Sequence, residues 1–468
     1  MRKTKIVCTL GPATDREGVL REMMLAGMNV ARFNFSHGTH PEHKARLDAV
    51  KALREELDLP VAAMLDTKGP EVRLRNFKNG SVELTTGQEF TLTTDEDVEG
   101  DETRCAISYA ALPQDVTVGD TILLDDGLVR LTVLETTSKT IRCRVENDGT
   151  MKNHKGVNVP GVSLSMPYMS QQDRDDILFG VEQGFDFIAA SFVRCAADIR
   201  EIRRVLDSVH SHIRIIAKIE NQEGVSNLRE ILAEADGVMV ARGDLGIECP
   251  LPELPAMQKR IIRACNRAAK PVIVATQMLL SMVSSPSPTR AETTDVANAV
   301  LDGADCVMLS EETAMGNYPV ETVQFMSEIA SKAEELMAET RRIAEPENDG
   351  TAEFLAYAAC LLAQKANAKS IVAHSLSGTS ARLLSARRPV QPIHALTPDV
   401  TSLKALNFSW GVLPHQVGND DVGHLARAER FIASSSLFGL GEDVVITAGQ
   451  PTSSSPQPRG TNLVKIYR

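Results

Sequence analysis

Residues 214–241, RIIAKIENQEGVSNLREILAEADGVMVA, hold one complete unit of the pattern that runs through this chain. Arg214–Ile219 is a short apolar run of strand character, Val225–Ala233 has helical spacing, and Gly237–Ala241 reads as a second strand. Two strands joined through a helix by a dozen or more residues make a parallel crossover. Lys218 and Glu220 sit two apart at the end of the first strand, so the alternation of a strand turns them to the same side.

The same rhythm extends both ways. Downstream come a helix at Leu254–Ala268, a strand at Pro271–Thr276, a helix at Thr294–Leu301, a strand at Cys306–Leu309 and a long helix at Val320–Met337. Upstream come a helix at Ala197–Val209, a strand at Phe185–Phe192 and a helix at Gln171–Gln183. The chain opens with strands at Lys5–Leu10, Asn29–Phe35 and Val61–Asp66, separated by helices at Asp15–Leu25 and His40–Leu57. Eight such strands close naturally as an α/β, (β/α)8 TIM barrel. An open doubly wound sheet is the alternative. Polar residues recur at the ends of nearly all the strands, which favours the barrel.

The rhythm breaks between Pro70 and Pro167. Ser81–Thr86, Glu89–Thr94, Thr121–Leu124, Leu128–Leu134 and Thr140–Val145 alternate with period two, parted by turns such as Asn79-Gly80 and Asp126-Gly127. Residues 70–167 therefore read as a small antiparallel β-barrel domain inserted after the third strand, dividing the barrel domain into 1–69 and 168–345. An insert there sits at the mouth of the barrel, in the position of a lid. Beyond Glu347-Asn348-Asp349-Gly350, residues 346–468 read as a smaller open α/β domain. Its helices are expected at Phe354–Lys365, Thr379–Ala386, Val400–Phe408 and Val422–Leu437. Its strands are expected at Ser370–His374, Pro392–Leu396, Gly411–Pro414, Glu442–Thr447 and Leu463–Tyr467. The Ser- and Pro-rich segment Pro451–Pro458 reads as a loop.

Bulk properties narrow the function. The 468 residues are 43% apolar, enough for packed cores in several domains. A net charge of −12 keeps such a protein soluble and argues against a general nucleic-acid binder, while a local cluster of Lys and Arg still admits a small anionic substrate. The eight cysteines form no CxxC pair or Cys/His metal spacing and read as buried thiols in a reducing compartment. Met1–Ile6 leads into a strand without a signal-peptide pattern, and no apolar run reaches the ~20 residues of a membrane helix. A cytoplasmic protein with no membrane partner is expected.

In a barrel, function gathers at the carboxyl ends of the strands. The second strand ends Arg32-Phe33-Asn34-Phe35-Ser36-His37-Gly38, with Arg32, Asn34 and Ser36 on one side. An arginine there suits a phosphate or carboxylate, and the Asn and Ser oxygens suit a hard cation. The third strand ends Asp66-Thr67-Lys68-Gly69-Pro70-Glu71-Val72-Arg73. Lys218 in such a mouth requires an anionic partner. Glu220 and Asp244, on adjacent strands, suit one Mg²⁺, an ion that takes one or two carboxylates and substrate oxygens. Gly243 leaves room for a ligand to approach the backbone. Thr276 presents a hydroxyl, and the eighth strand ends Ser310-Glu311-Glu312-Thr313. This set suits phosphoryl transfer, which rests on positioning and charge neutralisation. There is no GxxxxGK[ST] loop, no GxGxxG after the first strand and no HExxH.

The runs RFNFSHG (32–38), DTKGPEVR (66–73), KGVNVP (155–160), KIE (218–220), MVARGDLG (239–246), ATQM (275–278), PTRAE (288–292) and ETAMGNYP (312–319) resemble the pyruvate kinase family over essentially the whole chain. The resemblance implies transfer of a phosphoryl group from phosphoenolpyruvate to ADP, giving pyruvate and ATP. It implies catalytic roles for Lys218, Arg32 and Thr276, and substrate contacts from Arg32, Lys218, Gly243, Asp244 and Thr276. Arg73, Lys155, His37 and Asn34 are implied in nucleotide binding. Glu220 and Asp244 are implied to hold Mg²⁺ (or Mn²⁺), and Asn34, Ser36, Asp66 and Thr67 to hold K⁺. Glu71 fits the K⁺-dependent branch of the family, where other members have a Lys, although Leu74 stands where that branch more often has Thr. HSLSGTSAR (374–382) resembles the family's effector loop, implying a sugar-phosphate or nucleotide effector at Ser375, Ser377, Gly378, Thr379 and Ser380. The closing loop Gly449–Thr461 lacks the aromatic residue of some fructose-1,6-bisphosphate-regulated members. A homotetramer is implied as well.

Overall fold

Eight parallel strands pair in a closed ring, each beside its neighbour in sequence and the last beside the first. In this computed structural model, which describes residues 2–340, 342–346, 350–418, 423–449 and 461–468, they are Lys5–Thr9, Val30–Asn34, Ala62–Asp66, Phe187–Ala190, Arg214–Ile219, Gly237–Ala241, Val272–Ala275 and Cys306–Leu309. The closing pair runs Lys5 against Cys306 through Cys8 against Leu309. Strand residues facing outward pack on the surrounding helices in one large apolar core. Residues facing inward, including Val7, Met64, Phe187, Ile216, Met239 and Met308, fill the barrel itself.

Several helix ends depart from the sequence reading, each for a local reason. The first helix begins only at Val19, because Gly18 before it is left-handed. The segment expected as one helix at Val225–Ala233 is two, Gln222–Ser226 and Leu228–Glu234, parted at Asn227, whose side-chain amide donates to the Arg194 carbonyl. Thr289 and Glu292 form a reciprocal cap that starts the next helix at Arg290, before the expected Thr294. A further helix, Arg242–Glu248, begins directly where the sixth strand ends, so Gly243 and Asp244 lie in a first helical turn rather than on a strand.

The inserted domain is a seven-stranded sheet and a two-stranded one, Ser81–Leu84 with Gly149–Lys152, around its own apolar core. Val72–Arg73 forms one edge of the larger sheet and Arg104–Ala106 the other. Hydrogen bonds from Arg75 N to Ala106 O and from Ser108 N to Arg73 O curl the two edges together. One pairing differs from the antiparallel expectation: Glu89–Thr93 runs parallel to Arg104–Ala106. Entry to this domain turns at Gly69, whose φ is 75°. A Cβ there would lie 2.8 Å from the Ser191 Cβ, so only glycine fits.

The C-terminal sheet has the order Val412–Gln416, Ile393–Thr397, Ser370–His374, Val444–Ala448, Leu463–Tyr467, the last strand antiparallel. The segment expected as one helix at Val400–Phe408 ends at Ala405 and tightens into a 3-10 turn, Leu406–Phe408. That turn closes the amino end of the barrel. Phe408 packs on Phe187 with ring centroids 4.0 Å apart, and its carbonyl accepts from the Cys306 thiol. Asn407 donates to the carbonyls of Asn29 and Pro60, at 2.8 Å each. Glu347–Asp349, Val422 and Pro451–Pro458, together with most of Gly449–Thr461, lie outside the described residues. Among the described residues no helix is long and apolar enough to cross a membrane. Seven of the eight cysteines are buried, Cys195 partly so, and all are free thiols.

Candidate active site

At the carboxyl ends of strands two to five, four charges interlock below the surface. Arg32 Nε donates to Asp66 Oδ2 at 2.6 Å, and its Nη1 donates to the Thr9 hydroxyl at 3.0 Å. Lys218 Nζ lies 3.1 Å from Asp66 Oδ1 and 2.9 Å from Glu220 Oε1. The ammonium also donates to Ser191 Oγ at 2.8 Å. None of the four charged residues is more than 9% exposed. Burying ions is costly unless each has an opposite partner, and here every one does.

The electrostatics follow from that packing. Burial pulls the Lys218 ammonium toward the neutral form, but Asp66 and Glu220 outweigh it and hold the lysine above its ordinary range. Burial likewise opposes the Asp66 carboxylate, but Arg32 and Lys218 outweigh it and keep Asp66 below the usual carboxylate range. For Glu220 burial wins: helped by the negative charge of Asp244, it pushes the carboxyl up to about 8 despite Lys218. Glu220 Oε2 accepts from the Phe192 amide at 2.5 Å. Its Oε1 is buried without a hydrogen bond of proper geometry, although Lys218 is close.

Strands six and seven contribute a second, tightly packed patch. Thr276 has φ 76° and Gln277 φ 55°, a left-handed pair that a β-branched residue rarely adopts. Arg242 holds this turn, donating from Nε to Ala275 O at 3.1 Å and from Nη2 to Thr276 O at 2.7 Å, while paired to Asp295. The helix carrying Asp244 passes so close that a Cβ on Gly243 would sit 2.9 Å from the Thr276 methyl.

Between lid and barrel lies a cavity of about 610 Å³. It brings Arg73 and Lys155 of the lid opposite Asp244. Arg73 pairs with Glu71 and donates to the His154 carbonyl at 3.0 Å, and Lys155 pairs with Asp125 at 2.9 Å. Arg32, Asn34, Ser36, His37, Asp66, Thr67, Lys218, Glu220 and Thr276 do not form its walls. Asn34 Oδ1 accepts from the Ser36 amide, Thr67 Oγ1 donates to Ala189 O and accepts from the Ser191 amide, and His37 is exposed. Leu74 is fully buried in the lid core.

The sequence reading passed over several residues of this region, Thr9 and Arg242 among them. Ser191 follows the fourth strand, and the rule of reading strand ends finds it once that strand is included. Phe192, at φ 54°, has no signal in its residue type. Asp126 and Glu248 line the cavity, and burial raises both carboxyls, with Asp244 adding to each. Glu248 also accepts from the Asn158 amide of the lid at 2.8 Å. In the C-terminal domain, Gly378 at φ 79° precedes the helix Thr379–Ala386. Ser377 and Thr379 are exposed, Ser375 is buried, and the Ser380 hydroxyl bonds that of Thr461 at 2.7 Å.

A closed parallel barrel with buried cations and carboxylates at its strand ends, under a β lid, is the frame of a barrel phosphotransferase. Residues 1–323 match the family model "Pyruvate kinase, barrel domain", and residues 353–467 match "Pyruvate kinase, alpha/beta domain". The chain belongs to the pyruvate kinase family. It is 44% identical to a pyruvate kinase of Clostridium perfringens, with all of both chains covered. It is 46% identical to a pyruvate kinase of Sporosarcina psychrophila, covering all of this chain and 80% of that one. A crystal structure of a pyruvate kinase from Cryptosporidium parvum superposes with a TM-score of 0.92 at 38% identity, covering 100% of this chain and 96% of that chain.

Proposed function

We propose that this chain transfers the phosphoryl group of phosphoenolpyruvate to ADP, releasing pyruvate and ATP. The observation that carries this reading is the buried Arg32–Asp66–Lys218–Glu220 cluster, with Asp244, which lines the cavity that Arg73 and Lys155 reach from the lid, in electrostatic range of Lys218 and Glu220.

Lys218 is kept charged by its two carboxylates, so it offers a fixed positive charge to the phosphoryl group in transit. Arg32, anchored by Asp66 and Thr9, presents its remaining donors to substrate oxygens. Arg73 and Lys155, which line the cavity, take the nucleotide phosphates, and we assign His37 and Asn34, outside its walls, as further nucleotide contacts. The phosphoryl group leaves the enol oxygen for a terminal oxygen of ADP, and the enolate then takes a proton at carbon. The Thr276 hydroxyl, held in its strained turn by Arg242, is the group we assign to relaying that proton.

Glu220 and Asp244 fit a divalent cation. Glu220 Oε1 is a buried oxygen without a hydrogen bond, and its carboxyl is raised in the absence of a counter-charge beyond Lys218. Among the described residues no three His, Cys, Asp or Glu side chains cluster as ligands. A two-carboxylate site for Mg²⁺ (or Mn²⁺) suits that count. Such an ion, when bound, supplies charge neutralisation between substrate and nucleotide phosphates. For K⁺ we assign Asn34, Ser36, Asp66 and Thr67; Glu71, paired to Arg73, supports K⁺ dependence because no ammonium stands in its place. Regulation through the Ser375–Ser380 loop by a sugar phosphate or nucleotide, and assembly as a homotetramer, complete the proposal.

A lactate-dehydrogenase-coupled assay with phosphoenolpyruvate, ADP, Mg²⁺ and K⁺ tests the reading. Turnover is expected, with Lys218→Met lowering kcat by orders of magnitude in a folded protein. No turnover with any metal or effector would sink the reading. Replacing K⁺ by Na⁺, and adding a panel of sugar phosphates and nucleotides, tests the ion and effector assignments in the same assay.

A further inference from the structure

A second concentration of positive charge lies at the far end of the barrel from the substrate cavity. There the C-terminal domain meets the amino ends of strands five and six. A small cavity of about 150 Å³ is walled by Arg214, Asp236 and Lys270 of the barrel and by Thr379, Arg382 and Leu383 of the C-terminal domain. Arg382 Nη1 donates to the Ser377 carbonyl at 3.1 Å, and its Nη2 donates to the Thr379 hydroxyl at 3.2 Å. Arg214 Nη2, from the other domain, donates to the same Ser377 carbonyl at 3.3 Å. Two guanidiniums therefore converge on one neutral oxygen. Lys270 donates only to main-chain carbonyls, those of Leu232, Ala233 and Ala235.

One carboxylate, Asp236, faces the three cations and partly offsets Arg382 and Lys270, but its direct partners lie elsewhere. Asp236 pairs with Arg203 at 2.8 Å and accepts from the Ile215 amide. Asp399, within electrostatic reach of Arg214, caps its own helix through the amides of Thr401 and Ser402. Like charges gathered without a dedicated anion repel one another, and the junction shows it. Arg382 is pulled down to about 10, first by burial and then by Arg214. An arrangement of this kind lowers its energy by taking up an anion.

We propose that this junction binds a phosphate-type dianion, either inorganic phosphate or the phosphoryl end of a small phosphomonoester, bridged between Arg214 of the barrel and Arg382 of the C-terminal domain. Guanidinium forks match phosphate oxygens two at a time, which a carbonyl acceptor cannot exploit. The volume, a few water molecules' worth, admits a phosphate group and little more. The site lies on the barrel side of the effector loop; it takes the Thr379 hydroxyl, the Ser377 carbonyl and Arg382 from that run but not the hydroxyls of Ser375, Ser377 or Ser380. Arg214 also begins the strand that carries Lys218, so an anion held here sits on one end of an element whose other end is in the charge cluster.

The test is calorimetric titration and thermal melting of the full chain at constant ionic strength. The probes are inorganic phosphate and glycerol 3-phosphate, each with wild type, Arg382→Gln, Arg214→Gln and Ser380→Ala. Phosphate is expected to bind wild type and raise its Tm. Either arginine change is expected to weaken that binding at least tenfold, and Ser380→Ala to leave it within twofold. Arg214→Gln keeps the Arg382–Ser377 bond, so it remains informative should Arg382→Gln disturb the loop. Tighter binding of glycerol 3-phosphate than phosphate assigns the site to a phosphomonoester; equal or weaker binding assigns it to the free ion. Absence of binding, equal binding by both arginine variants, or an equal loss in Ser380→Ala overturns the proposal.

Discussion

Gly243 and Thr276 are packed so closely that a single methyl group on the glycine would fall 2.9 Å from the threonine methyl. The threonine cannot retreat, because Arg242 holds its carbonyl at 2.7 Å in a left-handed turn. Gly243→Ala is therefore expected to destabilise by about 1–3 kcal/mol through overpacking and to raise KM for phosphoenolpyruvate. Adding Thr276→Ser removes the opposing methyl, so the double variant should regain stability relative to Gly243→Ala. Chemical denaturation of the four-member cycle measures the coupling, and purely additive effects would refute the contact as the cause.

Ser191 touches Lys218 at 2.8 Å and also donates to the Thr67 carbonyl at 2.6 Å. Ser191→Ala removes the hydrogen bond from Lys218 and the hydroxyl's contact with Asp66 at 3.2 Å, and keeps the ion pairs. A loss of about 1–2 kcal/mol in transition-state stabilisation is expected, roughly a tenfold fall in kcat, with Tm nearly unchanged. A fall in Tm without a fall in kcat would make Ser191 a structural residue only.

Arg388 of the C-terminal domain grips Asp305 of the barrel with both Nη atoms, at 3.0 and 2.8 Å, in a pair that is 1% and 5% exposed. It donates to the Gly303 carbonyl as well. Arg388→Ala leaves a buried carboxylate without its partner, and a loss of about 3–5 kcal/mol is expected. Urea titration of both proteins reads this directly, and a change below about 1 kcal/mol would contradict it.

Two buried histidines of the C-terminal sheet give a pH dependence. Burial, then His424 and Arg427, lower His374 to about 4; burial, then His415, lower His394 to about 4. Both rings are neutral in the fold, while in the unfolded chain they take up protons below about 6.5. The unfolded state thus binds more protons between about pH 6.5 and 4. Stability present above that window is lost as pH falls through it, by up to about 1.4 kcal/mol per pH unit for each ring. Melting of the full chain at pH 7.5, 6.0 and 5.0 should show the decline, and His374→Gln with His394→Gln should flatten it.

The barrel was legible because its signal is periodic. Arg214–Ile219, Gly237–Ala241 and Cys306–Leu309 have the bounds that the apolar runs suggest, since parallel strands covered on both faces are near-continuously apolar, with Arg214 and Lys218 the charged exceptions at the ends of theirs. Lid strands such as Val72–Arg73 and Gly156–Asn158 are too short to show any period. Lys218 and Glu220 were legible as neighbours because alternation fixes their side. That Asp66, two strands away around the ring, would close the same cluster required the closed barrel. Phe192 and Thr276 depend on left-handed backbone that tertiary packing imposes and no local pattern announces.

The turn at Leu406–Phe408 has a consequence for how this protein can be divided. Phe408 supplies the floor on which Phe187 rests, and Asn407 satisfies two carbonyls that precede barrel strands. The barrel domain thus borrows its stopper from the C-terminal one. A fragment cut before residue 350 would be uncorked, with apolar lining open to water. The two units are therefore expected to melt in a single transition, because the barrel's apolar end is covered only while the C-terminal turn is in place.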